Sequence, residues 1–356
     1  MGKRVFASGF LRGELNKHNI LKPSFLLTKV KEMKHNVKIT TLLLGMFLVA
    51  QIIGLIVIHA YTPQINPETG INENSLPFGM QPPEDIDYTC PTINSFGNFL
   101  ICIGKLIPII IAFAIAITLI LILSKYRWKF LIKAWFFIVV IIALSLAFNA
   151  FLKYTIPTSA LIALVIAIPL AFIKVYRPHF IVHNITELFV YPGISAVFVP
   201  ILNIWTIIIL LILISLYDMW AVWKSGIMQK MAKFHINELQ IFPGLFIPTA
   251  SKKTKEKIKA LKLKYKNKIP PSVAKKQKFK VTLAILGGGD VVFPIITAGV
   301  FLRVLGLVPA LFVTAGAFAG LTYLFINSEK KAYPAMPFIT AGIFAGIVVA
   351  WLVGVF

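Results

Sequence analysis

The sequence predicts an all-α, polytopic membrane protein with nine transmembrane helices. Three observations predict it. Hydrophobic residues make up 58% of the 356 residues and charged ones only 14%, whereas a soluble domain needs a charged surface. Apolar runs of about 20 residues recur, the length that crosses a ~30 Å hydrocarbon core. The runs are continuous rather than alternating, which excludes a transmembrane barrel.

The expected spans lie near residues 40–60, 104–123, 131–151, 157–174, 181–199, 202–223, 281–302, 304–326 and 334–354. The first begins after a polar, basic segment, residues 1–38, that lacks the form of a cleavable signal peptide. The fifth and sixth are the hardest to divide. From Leu188 to Trp223 there is almost no polar break, and the split is placed at Pro200 and Asn203. Residues 39–223 then hold six spans, residues 224–280 form a lysine-rich loop, and residues 281–356 hold three more. The middle of that loop, INELQIFPGLFIPTA (Ile236 to Ala250), is apolar and carries Pro and Gly. Too little core is available there for a subdomain, so a mobile loop is expected.

A net charge of +23 raises the question of nucleic acid. Its distribution answers differently. Basic residues crowd the tail before Ile39 and the even-numbered connections, including Lys125, Arg127, Lys129, Lys133, Lys174, Arg177, Lys330 and Lys331. The long sixth connection is the most basic of all. The first connection instead carries Glu68, Glu73, Glu84, Asp85 and Asp87. Basic residues mark the cytoplasmic side. The expectation is a cytoplasmic N-terminus, an extracytoplasmic C-terminus, and a lysine-rich loop lying against anionic lipid. Two cysteines, Cys90 and Cys102, make no disulfide framework.

Acidic residues are scarce, and all but two of the 13 lie in the tail, in connections or at a span edge. Glu187 is of the edge type: it sits with Asn184 near the start of the fifth span and is expected to snorkel. Asp218 and Asp290 are different. They stand inside spans, where an ionised Asp costs roughly 2.5–3.5 kcal/mol at the helix centre. Asp218 precedes Lys224 by six residues and Asp290 follows Val281 by nine, so both are expected in the cytoplasmic half at similar depth. Two carboxyls brought that close share one proton. One activates water and the other donates to the developing oxyanion, which is the chemistry of peptide hydrolysis. No metal or cofactor is expected, because the histidines form no HExxH pattern.

Two further stretches adjoin these acids. Gly287, Gly288 and Gly289 precede Asp290 and remove side chains there, allowing another backbone to approach. A helical substrate must be unwound before it is cut, and its extended strand needs such room. Plain close packing of helices is the simpler use of three glycines. The ninth span opens with YPAMPFITAG, Tyr333 to Gly342. Pro334 and Pro337 lack backbone donors and are expected to keep the entry out of regular helix, on the same side as the acids. Proline early in an ordinary helix gives the same pattern.

Tyr217-Asp218, Gly287-Gly288-Gly289-Asp290 and Pro334-Ala335-Met336-Pro337 resemble, in order, the YD, GxGD and PAL(P) motifs of the intramembrane aspartyl proteases, presenilin and signal peptide peptidase. The nine-span layout with a long loop between the two Asp-bearing spans is similar too. The resemblance points to an archaeal or other microbial member. It implies a catalytic pair of Asp218 and Asp290, with Tyr217, Gly287 to Gly289 and Pro334 to Pro337 shaping the site. Met336 stands where the family usually has Leu, a swap of similar volume. The resemblance also implies transmembrane helices or remnant signal peptides as substrates. The N-inside orientation is that of presenilin, whose natural substrates have their N-terminus outside. A location in the plasma membrane is expected, with homo-oligomers and accessory subunits left open. Two other classes fit parts of the pattern. A prepilin or preflagellin peptidase also uses GxGD, and a proton- or cation-coupled transporter also pairs acids on broken helices.

Overall fold

The computed structural model describes residues 37–62, 76–77, 128–177, 179–225, 243–250, 281–327 and 333–355. It also describes eight helical positions between Gly104 and Ile122. The expected second span falls on those isolated positions. The basic tail, Cys90, Cys102 and the lysine run after Ala250 lie outside the described residues.

Eight helices are described in full: α1 Val37–Ala60, α2 Lys129–Leu152, α3 Ser159–Tyr176, α4 Phe180–Phe198, α5 Ile204–Trp220, α6 Gly288–Leu305, α7 Leu307–Asn327 and α8 Met336–Leu352. Seven have the length and apolar composition to cross a membrane, and α8 is apolar but shorter, at 17 residues. The molecule is therefore a multi-pass helical membrane protein. The division of the fifth and sixth spans falls where the sequence placed it. A 3-10 turn, Val199–Ile201, follows α4. Asn203 then opens α5 with a reciprocal cap: its side chain accepts from Thr206 N–H, and Thr206 accepts from Asn203 N–H. Such a box satisfies end donors that have no partner within the helix.

Small residues set how closely the helices approach. Lipid tails are as apolar as leucine, so helix association relies on close packing rather than on escape from water. Ala163, Ala167 and Ala171 repeat every fourth residue on α3 and are fully buried, on an element that packs against α2. Glycines play this part repeatedly in the pair α7 and α8. A Cβ on Gly316 would collide with the Gly342 carbonyl, and one on Gly346 with the Phe312 carbonyl. The main core forms where α1, α5, α6, α7 and α8 meet, around Phe47, Leu211, Ile295, Phe301, Leu321 and Ile339.

One element departs from the all-α expectation. Residues Gly244–Ala250 (β1) and Val281–Gly287 (β2) form an antiparallel ladder, from Gly244 opposite Gly287 to Ala250 opposite Val281. The seventh span therefore begins at Gly288 rather than near 281, and part of the loop expected to be mobile is a strand. The apolar run VTLAILG carries β-branched residues, and its ladder partner lies more than 30 residues earlier. Pairing across that gap, not local periodicity, decides its conformation.

Candidate active site

Asp218 and Asp290 each stand in a terminal turn. Asp218 is followed in α5 only by Met219 and Trp220, and a π-helical turn, Ala221–Ser225, continues the chain. Asp290 is the third residue of α6. Each aspartate thus lies at a helix end rather than inside a continuous span. The two carboxyls are electrostatic neighbours, and both side chains are partly buried.

Asp218 lies against the start of α8. Its Oδ2 accepts the Met336 backbone N–H at 3.2 Å, and the Ala335 N–H also reaches the carboxyl. The first N–H groups of a helix lack intrahelical partners and favour negative charge. Asp218 therefore caps α8 across the chain. One turn before it, Ser215 Oγ donates to Thr340 Oγ1 at 2.8 Å, both buried, so α5 and α8 are tied twice. Residues 333–335 are not helical and α8 begins at Met336, as the prolines led one to expect. Pro337 occupies an early helical position, where its missing donor costs nothing. Pro334 and Met336 are buried.

Asp290 sits at the end of the small sheet. The direction of each strand's backbone groups follows from their partners. Asn184 clamps β1: its Nδ2 donates to the Phe246 carbonyl at 2.8 Å, and its Oδ1 accepts the Phe246 N–H at 3.1 Å. His183 Nε2 meets the Gly244 carbonyl at 2.9 Å. Gly244 and Phe246 therefore point their backbone groups toward α4, while Leu245 and Ile247 bond β2. Pro248 falls at a position that needs no ladder donor. By register, Ile285 and Gly287 of β2 point their N–H and C=O away from β1. Among the described residues the sheet has two strands, so that edge of β2 is unpaired. It runs to Gly287, whose N–H reaches the Asp290 carboxyl.

The three glycines divide in use. A Cβ on Gly287 would stand 3.0 Å from Asp290 Oδ2. One on Gly288 would stand 3.1 Å from Tyr191 Cε1 and 3.3 Å from the Pro243 carbonyl, whose oxygen accepts the Gly288 N–H at 3.2 Å. Gly289 meets only Phe293, at 3.7 Å, an ordinary contact. Tyr217 does not join the group: its side chain is 54% exposed and packs on Trp220, ring centroids 6.2 Å apart.

Other residues at this end were not foreseen as part of the site. Gln51 of α1 is buried and donates to the Val291 carbonyl at 3.1 Å, holding the residue next to Asp290. Glu187 does not snorkel. It is 1% exposed and pairs with Lys174 of α3, Nζ to Oε1 2.6 Å, with His183 at 3.6 Å. Lys174 is likewise buried rather than a residue of the connection. The signal for this group was present as polar residues four apart, His183, Glu187 and Tyr191, which share one face of a helix. Among the described residues no His, Cys, Asp and Glu cluster has the makings of a metal site.

Residues 90–355 match the family described as signal-peptide peptidase, presenilin aspartyl protease. Among solved structures, a presenilin family intramembrane aspartate protease in a C222 crystal form aligns with 17% identity and a TM-score of 0.51. The alignment covers 88% of this chain and 99% of that one. The P2 form of a presenilin family intramembrane aspartate protease aligns with 18% identity over 87% of this chain and 96% of that one, TM-score 0.49. At 17% identity the first likeness speaks for the fold alone. A comparison with curated proteins gives no match. The family match spans most of the chain and contains both aspartates, so this multi-pass membrane protein belongs to the signal-peptide peptidase and presenilin aspartyl proteases, and is an aspartic endopeptidase.

Proposed function

We propose that Asp218 and Asp290 form the catalytic dyad and hydrolyse peptide bonds within transmembrane helices or remnant signal peptides. The observation that carries this reading is the convergence of both carboxyls, one at the start of α8 and one at the end of the unpaired β2 edge. A substrate unwound into a strand finds the N–H and C=O of Ile285 and the carbonyl of Gly287. Those groups lead to Asp290, and Gly289 leaves space beside it. The pair holds one proton. Its ionised member takes a proton from water as the water oxygen attacks the carbonyl carbon, while the other member donates to the carbonyl oxygen. Collapse of the tetrahedral species breaks the C–N bond, with a proton delivered to the leaving amine. Gly287 to Gly289 and Pro334 to Pro337 shape the cleft around this step.

The charge pattern supports an N-terminus in the cytoplasm and nine spans, with the lysine-rich loop against anionic lipid. The presenilin-like orientation implies single-span substrates whose N-terminus is outside, and the resemblance to a microbial member implies residence in the plasma membrane. The test is binding of a peptide analogue with a secondary hydroxyl in place of the scissile carbonyl. Wild-type protein binds it, and Asp218→Ala loses affinity by about 100-fold or more, as expected for a transition-state mimic. Equal binding by the variant would remove Asp218 from the chemistry.

A further inference from the structure

Tyr191 lies on the polar face of α4 and is 3% exposed. Its phenol oxygen is buried and makes no well-aligned hydrogen bond among the described residues, although Glu187 lies within reach of one. Buried hydroxyls in native folds are nearly always paired, so this one calls for an explanation. Two carboxyls are its electrostatic neighbours: Glu187, one turn back on the same helix, and Asp290. The phenol stands over the glycine run, 3.3 Å from where a Cβ on Gly288 would lie. Any side chain at 288 would therefore force the ring away from the acid.

A phenol has one hydrogen to give. Glu187 is already served by Lys174 at 2.6 Å, with His183 nearby, and Lys174 is further held by Thr186 at 3.5 Å. Asp290 has the Gly287 N–H on one side. We propose that Tyr191 is a positioning residue of the active site, donating its phenolic hydrogen to the Asp290 carboxyl when substrate is engaged. Glu187, an acceptor already paired with Lys174, leaves that hydrogen to Asp290. His183 belongs to the same stripe and grips β1 at Gly244, so one face of α4 aligns the acid with the strand that leads to it.

This rests on the reading of Asp290 as catalytic, and the experiment separates the two. Cleavage of a single-span reporter peptide by the full-length protein in detergent is measured for wild type, Tyr191→Phe, Asp290→Asn and the double variant. Thermal melting is followed in parallel. Tyr191→Phe keeps the ring and removes only the oxygen. The expected result is a kcat lower by about 10-fold or more with KM within about twofold, the signature of an interaction made in the transition state. Melting should be unchanged, and the double variant no slower than Asp290→Asn alone. A kcat within about threefold of wild type overturns the proposal. So does a lowered melting temperature or an effect confined to KM, because either makes Tyr191 a packing residue. If Asp290→Asn itself stays active, the dyad reading falls as well. If it is inactive while Tyr191→Phe is not, only the role of Tyr191 falls.

Discussion

The α7–α8 pair and the junction of α4 with β1 are held together by opposite means. Between α7 and α8, glycines let backbones touch, and Gly316, Gly320, Gly342 and Gly346 have no room for a methyl group. At the α4 junction, contact is made by hydrogen bonds, His183 with Gly244 and Asn184 with Phe246, and a buried ion pair to Lys174 of α3 anchors Glu187 on the same face of α4. The difference follows from the backbone each region must carry. Two intact helices satisfy their own polar groups and need only shape. A strand inside a membrane protein is tolerated only where protein satisfies its backbone, and one edge of β1 obtains its partners from α4 side chains.

The comparison can be broken by variants, beginning with the largest effect. Lys174→Ala leaves Glu187 charged and uncompensated and should destabilise the protein by about 3–5 kcal/mol. Denaturation in detergent reads this, and Lys174→Met combined with Glu187→Leu should recover much of the loss. Gly316→Ala drives a methyl group into the Gly342 carbonyl and should cost about 1–3 kcal/mol by the same measurement. Asn184→Ala unpairs both Phe246 backbone groups, a local cost of about 1–3 kcal/mol. Amide exchange across β1 should then quicken while α7 and α8 stay protected. Gly289→Ala, whose nearest neighbour is 3.7 Å away, should change stability by no more than about 0.5 kcal/mol. A larger loss there would mean that the glycine run is packed throughout.

Shape-held parts were easier to read from sequence than bond-held parts. Long apolar runs and the break at Pro200 and Asn203 are local signals, and the described helices other than α6 begin and end within a few residues of the expected spans. The two aspartates stood out because charge in an apolar run is costly. The ladder of β1 with β2 was hidden because Val281–Gly287 is apolar enough to continue a span and its partner is remote in sequence. Glu187 was misjudged for a related reason. Lys174 lies 13 residues away on a different helix, so neither residue by itself reveals a buried pair. Tyr217 stands beside Asp218 in sequence, yet helical geometry turns adjacent side chains about 100° apart, and the tyrosine ring packs on Trp220.

The central claim is that Asp218 and Asp290 work as one unit, and its most direct test is a single set of rates. Cleavage of a single-span peptide is followed for wild type, Asp218→Asn, Asp290→Asn and the double variant. Groups that act together give non-additive losses. Each single variant should be slower by about 1,000-fold or more and the double variant no slower than either, as groups in one catalytic step behave. A single variant keeping about a tenth of wild-type activity, or losses that multiply in the double variant, would contradict the claim.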